Sequence, residues 1–192
     1  MEDLAAAIVK RSLAAHVDFA AGSIGPVARA AEAIANAFTS GNKVLIFGNG
    51  GSAADAQHMA AEFINRFLME RPPLPAVALS TDTSALTAIA NDYSFEEIFA
   101  KQIKGLGDQG DVALGISTSG SSPNVLKGLE AARRRNMVTI GMTGKTGGEM
   151  APLSDHLITT PTGETPRVQE LHCLIVHVIC ELVDMKLFGR TQ

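Results

Sequence analysis

Short apolar runs recur along the chain from residue 44 onward: Val44–Phe47, Ala76–Leu79, Val112–Ile116, Val138–Met142 and His156–Thr159. None alternates apolar with polar positions, as a strand with one wet face would. Stretches of helical texture separate most of them. Short, continuously apolar strands alternating with helices predict a parallel sheet covered on both faces. The expectation is an α/β fold, a doubly wound five-stranded parallel sheet. Ahead of it, residues 3–40 predict two helices. Leu4, Ile8, Leu13 and Val17 give an approximate helical stripe that breaks between Gly22 and Pro26. An alanine-rich segment from Pro26 to Phe38 follows and stops at Ser40-Gly41-Asn42. From about Pro166 to Phe188 the chain predicts a long helix with apolar residues nearly all round. A helix that is apolar on more than one face needs more than one partner. It is therefore expected to be an interface helix packed against another subunit. No repeat or linker divides the sequence, so residues 1–192 are expected to form a single domain, with 1–40 packing on the α/β core.

Composition narrows the function classes. With 46% apolar and 19% charged residues, the chain has the make-up of an ordinary globular protein. A net charge of −4 argues against sequence-independent nucleic-acid binding, which needs a basic face. Arg133, Arg134 and Arg135 are a local exception that reads as a solvated helix face. The longest apolar candidate for a membrane span, Leu171 to Cys180, is bounded by Glu170 and Glu181 and interrupted by His172 and His177. It falls well short of the ~18 residues a span needs. Met1-Glu2-Asp3 lacks the basic start of a secretory signal. A cytoplasmic location is expected, with neither nucleic acid nor membrane as partner. Cys173 and Cys180 lie seven residues apart on one expected helix, a rise of roughly 10 Å. That distance is beyond disulfide reach, and free buried thiols are expected.

Ligands of open parallel sheets bind beyond the carboxyl ends of the strands, and two loops there stand out. After the first strand comes Gly48-Asn49-Gly50-Gly51-Ser52-Ala53-Ala54-Asp55. Its glycines let backbone approach a ligand, and the following helix N-terminus favours an anion. Ser52 suits both a helix cap and an oxygen contact. The spacing is neither a dinucleotide fingerprint nor a P-loop. After the third strand comes Ser117-Thr118-Ser119-Gly120-Ser121-Ser122-Pro123-Asn124, with five hydroxyls ahead of a proline suited to a first helical turn. Such a loop makes a phosphate cradle built from N–H dipoles and hydroxyls rather than a lysine.

Metal-type side chains cluster at helical spacing. His58, Glu62 and Arg66 are four apart in turn, on one face of the helix opened by the glycine loop. Gln169, His172 and His177 lie on the long C-terminal helix. The Cα atoms of Gln169 and His177 would be about 12 Å apart along its axis. If both bind one ion, at least two subunits are expected to contribute.

These residues, together with Asn91-Asp92 and Thr165-Pro166-Arg167-Val168-Gln169-Glu170, resemble the sedoheptulose 7-phosphate isomerases, a family of the flavodoxin-like sugar isomerase (SIS) fold. The resemblance runs from about residue 40 to 188. The two loops mark the superfamily, and His58–Glu62 with Gln169–His177 is the specific part. It implies one zinc ion per active site held by His58, Glu62, Gln169 and His177. It also implies a sugar phosphate held by Asn49, Gly50, Gly51, Ser52, Glu62, Asn91, Asp92, Ser117, Thr118, Ser119, Ser122 and Gln169. The assembly implied is a homotetramer with active sites between subunits. Some relatives carry Asp at the position of Pro166, so a role for that carboxylate does not transfer, and His172 receives no catalytic part.

The implied activity is an aldose–ketose isomerisation of sedoheptulose 7-phosphate to D-glycero-D-manno-heptose 7-phosphate. It proceeds through an enediol with metal assistance and opens the route to ADP- or GDP-heptose for lipopolysaccharide and other surface glycans. On that reading Glu62 is the base and His177 passes a proton near neutral pH, while zinc acts as a Lewis acid. Two alternatives stand beside it. One is an enzyme for another sugar phosphate. The other is a SIS module that senses sugar phosphates or binds the bacterial replication initiator without catalysis, a group that lacks the His/Glu/Gln/His set kept here.

Overall fold

A computed structural model describes residues 1–189. Strands β1 (Val44–Gly48), β2 (Ala76–Ala78), β3 (Val112–Ser117), β4 (Val138–Thr143) and β5 (His156–Thr159) form one sheet in the order β2-β1-β3-β4-β5. Every neighbouring pair is parallel. The helices are α1 (Glu2–Gly22), α2 (Ile24–Thr39), α3 (Gly51–Ile64), α4 (Thr83–Asp92), α5 (Ile98–Leu106), α6 (Pro123–Arg134) and α7 (Thr165–Phe188).

The strands lack alternation because both faces of the sheet are dry. Val44 and Ile46 point into a core shared with α2, α3 and α7, whereas Leu45 and Phe47 point into a second core shared with α5 and α6. All four side chains are fully buried. This is the two-faced burial expected of parallel strands flanked by crossover helices.

Two boundaries differ from expectation. Helix α2 begins at Ile24, two residues before Pro26. Proline is tolerated there because first-turn N–H groups have no intrahelical acceptor to lose. Helix α3 stops at Ile64, so Arg66 leaves the face of His58 and Glu62 and pairs instead with Glu70 at 3.6 Å.

Helix α7 packs against α1, α2 and α3 of its own chain. Much of the apolar girth that predicted an outside partner is thus used internally, although Leu182 and Met185 stay exposed. Helix α1 is the reverse case. It buries only Ala15 and Phe19 and leaves Leu4, Val9, Leu13 and Val17 more than half exposed. Among the described residues no helix is long and apolar enough to cross a membrane. Both cysteines are free thiols.

Candidate active site

The strand order reverses between β1 and β3, and the crevice outside their carboxyl ends is where such sheets bind ligands. Both loops singled out in the sequence open there. Gly50 takes φ 56°, ψ −121° to turn the chain from β1 into α3, a conformation that favours glycine. Asn49 and Asn124 then exchange two amide hydrogen bonds of 2.8 Å across the crevice. That pair ties the glycine loop to the first turn of α6, and Asn124 is almost wholly buried. Beside it a cleft of ≈ 190 Å³ is lined by Gly48, Asn49, Gly50, Ser80 and Phe95 among others.

In the hydroxyl loop, Ser117 Oγ lies 2.9 Å from Ser122 Oγ and 3.4 Å from Ser119 Oγ. The segment after β4 braces this loop. Gly144 N–H donates to the Thr118 carbonyl, and Met150 N–H donates to the Gly120 carbonyl. At Gly120 φ is +70°, and a Cβ would lie 2.5 Å from the Gly147 carbonyl oxygen. The close approach of these two backbones therefore requires glycine.

Helices α3 and α7 run side by side in the same direction. Gln169 meets Gly51 so closely that a Cβ on residue 51 would lie 2.5 Å from its amide nitrogen. Two turns on, His177 Nε2 lies 3.3 Å from His58 Nε2, and Glu62 Oε1 lies 3.2 Å from the same His58 nitrogen. The imidazoles are perpendicular with centroids 4.9 Å apart, and Phe67 stacks on His177 at 5.4 Å. One chain thus supplies His58, Glu62 and His177 together. Asn91 and Asp92 lie apart from this cluster. They end α4 on the surface, where the Asn91 amide donates to the Asp92 carboxylate at 2.9 Å.

Three acceptor-type atoms converge at the His58 ring edge, more than a single N–H can satisfy. A cation would satisfy all three. Tetrahedral zinc with bonds of ~2.0–2.1 Å separates neighbouring donors by roughly 3.3–3.4 Å, close to the two spacings observed here. The cluster therefore fits a metal. Cys173 also enters it: the donor atoms of His58, Cys173 and His177 lie within 4.8 Å of one another.

Three residues of this region receive no site role from the sequence. Cys173 stands four residues before His177, a spacing that was the available signal. Asp55 lies one turn before His58. Burial pushes its carboxyl up to about 6 against the opposing pull of His58, and its Oδ2 is buried without a partner. Arg71 is the third. Its Nε is 2.9 Å from Asp184 on α7, and it also donates to the carbonyls of Glu62 at 2.8 Å and Phe63 at 2.6 Å. It thereby caps the end of α3 and pins it to α7.

His172 is fully buried, with Nε2 3.3 Å from the Thr143 carbonyl. Burial pushes its pKa down to about 4 from 6.5, against the raising effect of that carbonyl. The ring is thus neutral at physiological pH. The unfolded chain binds this proton near pH 6.5 and the folded chain only near 4, so His172 removes stability as pH falls between those values. Asp55 acts in the opposite sense, because its folded pKa is raised. Comparing wild type with His172→Gln by urea unfolding isolates the histidine. Wild type should lose about 2 kcal/mol more than the variant between pH 7 and pH 5. Parallel pH dependence in the two proteins would contradict a neutral buried ring.

Comparison with known proteins adds a second line. The SIS domain family matches residues 9–144. The chain is 60% identical over 148 residues to the phosphoheptose isomerase of Nitratidesulfovibrio vulgaris (strain Miyazaki F), covering 77% of this chain and 71% of that protein. It is 52% identical over 184 residues to the phosphoheptose isomerase of Shewanella baltica (strain OS155), covering 94% and 93%. The structure of the phosphoheptose isomerase from Neisseria gonorrhoeae superposes with a TM-score of 0.90 at 44% identity, covering 95% of this chain and 98% of that one.

Proposed function

The chain belongs to the phosphoheptose isomerase family of SIS-domain enzymes, and from that premise we propose that it interconverts sedoheptulose 7-phosphate and D-glycero-D-manno-heptose 7-phosphate in the cytoplasm. The observation that carries the reading is the meeting of His58, Glu62 and His177 two turns along the helix that opens from the crevice at the switch point of the sheet. This supplies a proton-transfer cluster next to a site suited to an anion.

The phosphate sits against Ser117, Thr118, Ser119 and Ser122, at the start of α6. Asn49, Gly50, Gly51 and Ser52 border the sugar, and the Gln169 amide contacts it from α7. Asn91 and Asp92 complete the substrate contacts from a neighbouring subunit. The reaction moves two protons and needs no outside oxidant or reductant. Glu62 takes a proton from C1 while the C2 carbonyl oxygen gains one, giving the enediol. Glu62 then returns its proton to C2 as O1 gives up its own and becomes the aldehyde oxygen. His177 carries the oxygen-borne proton between O1 and O2, and Phe67 holds its ring in place for that transfer. A zinc ion held by His58 and His177, with Glu62 and Gln169 as further donors implied by the family, supplies electrophilic stabilisation of those oxygens when bound.

The apolar stripe of α1, exposed at Leu4, Val9, Leu13 and Val17, supports assembly into a homotetramer with active sites between subunits.

The test is turnover of sedoheptulose 7-phosphate by purified protein, with the heptose 7-phosphate product identified by NMR. Activity should disappear on chelation and return with zinc. A metal-loaded tetramer that turns over none of this substrate would overturn the assignment, while turnover indifferent to chelation would remove the metal and keep the isomerase.

A further inference from the structure

The hydroxyl loop carries no cation, yet a phosphate monoester brings a charge of about −1.5 to −2. Three loops lie beyond the carboxyl ends of β1, β3 and β4, over residues 48–55, 117–124 and 143–150. The one lysine or arginine among them is Lys145. Its backbone is clasped to the hydroxyl loop on both sides. Before it, Gly144 N–H donates to the Thr118 carbonyl at 3.2 Å. A Cβ on Gly144 would lie 2.5 Å from that same oxygen. After it, a Cβ on Gly148 would lie 2.6 Å from the Gly120 carbonyl oxygen and 2.8 Å from that of Ser119. Gly147 and Gly148 take φ of 76° and 53°, which folds the segment back onto the hydroxyl loop. Lys145 itself is exposed. Lys43, Lys127 and Lys186 are each taken up by carboxylates, whereas Lys145 forms no ion pair among the described residues.

We infer that Lys145 is a further substrate contact, its ammonium closing the phosphate cradle from the loop after β4. The inference rests on the sugar-phosphate isomerase reading above. A lysine carries a point charge on a flexible four-carbon stem, and this one is rooted next to the Thr118 contact with no internal partner to give up. The labour divides by chemistry. Hydroxyls and N–H groups of the loop after β3 fix where the phosphate sits, and Lys145 supplies the positive charge they lack. The cradle thus selects a phosphate ester over an uncharged sugar. The ester is at the opposite end of the substrate from the C1–C2 pair that exchanges protons. A contact made equally in ground and transition states lowers KM and leaves kcat unchanged.

The full-length protein is compared with Lys145→Met, Lys145→Arg and Lys104→Met. The last removes the same charge from the exposed final turn of α5 and controls for net charge. Inorganic phosphate binding is followed by calorimetry, and turnover of sedoheptulose 7-phosphate by steady-state kinetics. Lys145→Met should weaken phosphate binding and raise KM by about tenfold or more, the scale of a charge-assisted hydrogen bond. Its kcat should stay within about twofold of wild type. Lys145→Arg should restore most of the loss, and Lys104→Met should show none. The rise of KM with ionic strength should be shallower in Lys145→Met than in wild type. Unchanged phosphate binding and KM in Lys145→Met, an equal loss in Lys104→Met, or a fall in kcat at constant KM would overturn the proposal and leave the isomerase reading intact. A wild type that neither binds inorganic phosphate nor turns over the sugar phosphate would overturn both.

Discussion

Replacing Arg71 by methionine is expected to lower the stability of the folded chain by about 3–5 kcal/mol, the range found when one partner of a buried ion pair is removed. The Arg71 and Asp184 side chains are only 1% and 2% exposed. Methionine fills much of the volume but leaves the Asp184 carboxylate buried without a counter-charge. It also strips the α3 terminus of the guanidinium that serves the Glu62 and Phe63 carbonyls. Most single substitutions cost far less. Pairing it with Asp184→Leu should recover much of the loss, because a buried ion pair and a well-packed apolar pair are often close in stability. Urea unfolding of wild type, both single variants and the double variant, at one protein concentration, measures the coupling. A loss below about 1 kcal/mol for Arg71→Met would mean that the pair contributes no more than a surface salt bridge.

Glu62→Gln is expected to reduce kcat by roughly 10²–10⁴, the usual contribution of a positioned acid–base group. Glutamine preserves the length of the side chain and one carbonyl oxygen. It replaces the basic carboxylate that must take the C1 proton by an amide too weakly basic to do so. Stability should stay within about 0.5 kcal/mol, since the side chain is a quarter exposed and its carboxylate pairs with a part-exposed His58. Metal analysis separates the two roles open to this carboxylate. Retained zinc with lost turnover identifies the base, whereas zinc and turnover lost together identify a ligand.

The sheet was legible in the sequence because parallel strands buried on both faces leave an unmistakable trace. Val44 to Phe47 and Val112 to Ile116 are apolar throughout, with their neighbours switching to helical texture. The loops were legible for a related reason, since glycines and hydroxyls at strand ends have few purely structural uses in such numbers. The end of α3 was not legible. No glycine or proline marks Asn65, and the helix stops where a guanidinium from six residues further on takes its last carbonyls. Arg66 therefore looked like a third member of a helical row. Cys173 reads in the sequence as a buried thiol but is only half-buried in the fold, and its proximity to His58 depends on how α3 and α7 align, which spacing within either helix does not fix. The same alignment brings His58 to His177 in one chain, a pairing that spacing along α7 alone does not fix.

The reciprocal amide pair between Asn49 and Asn124 has a kinetic consequence. Each side chain satisfies the donor and acceptor of the other without help from a bound anion, so the separation of the two loops is fixed before any sugar phosphate arrives. Capture then requires no closing motion of these loops and no ordering entropy from them. Encounter, rather than rearrangement, should govern how fast the phosphate end docks.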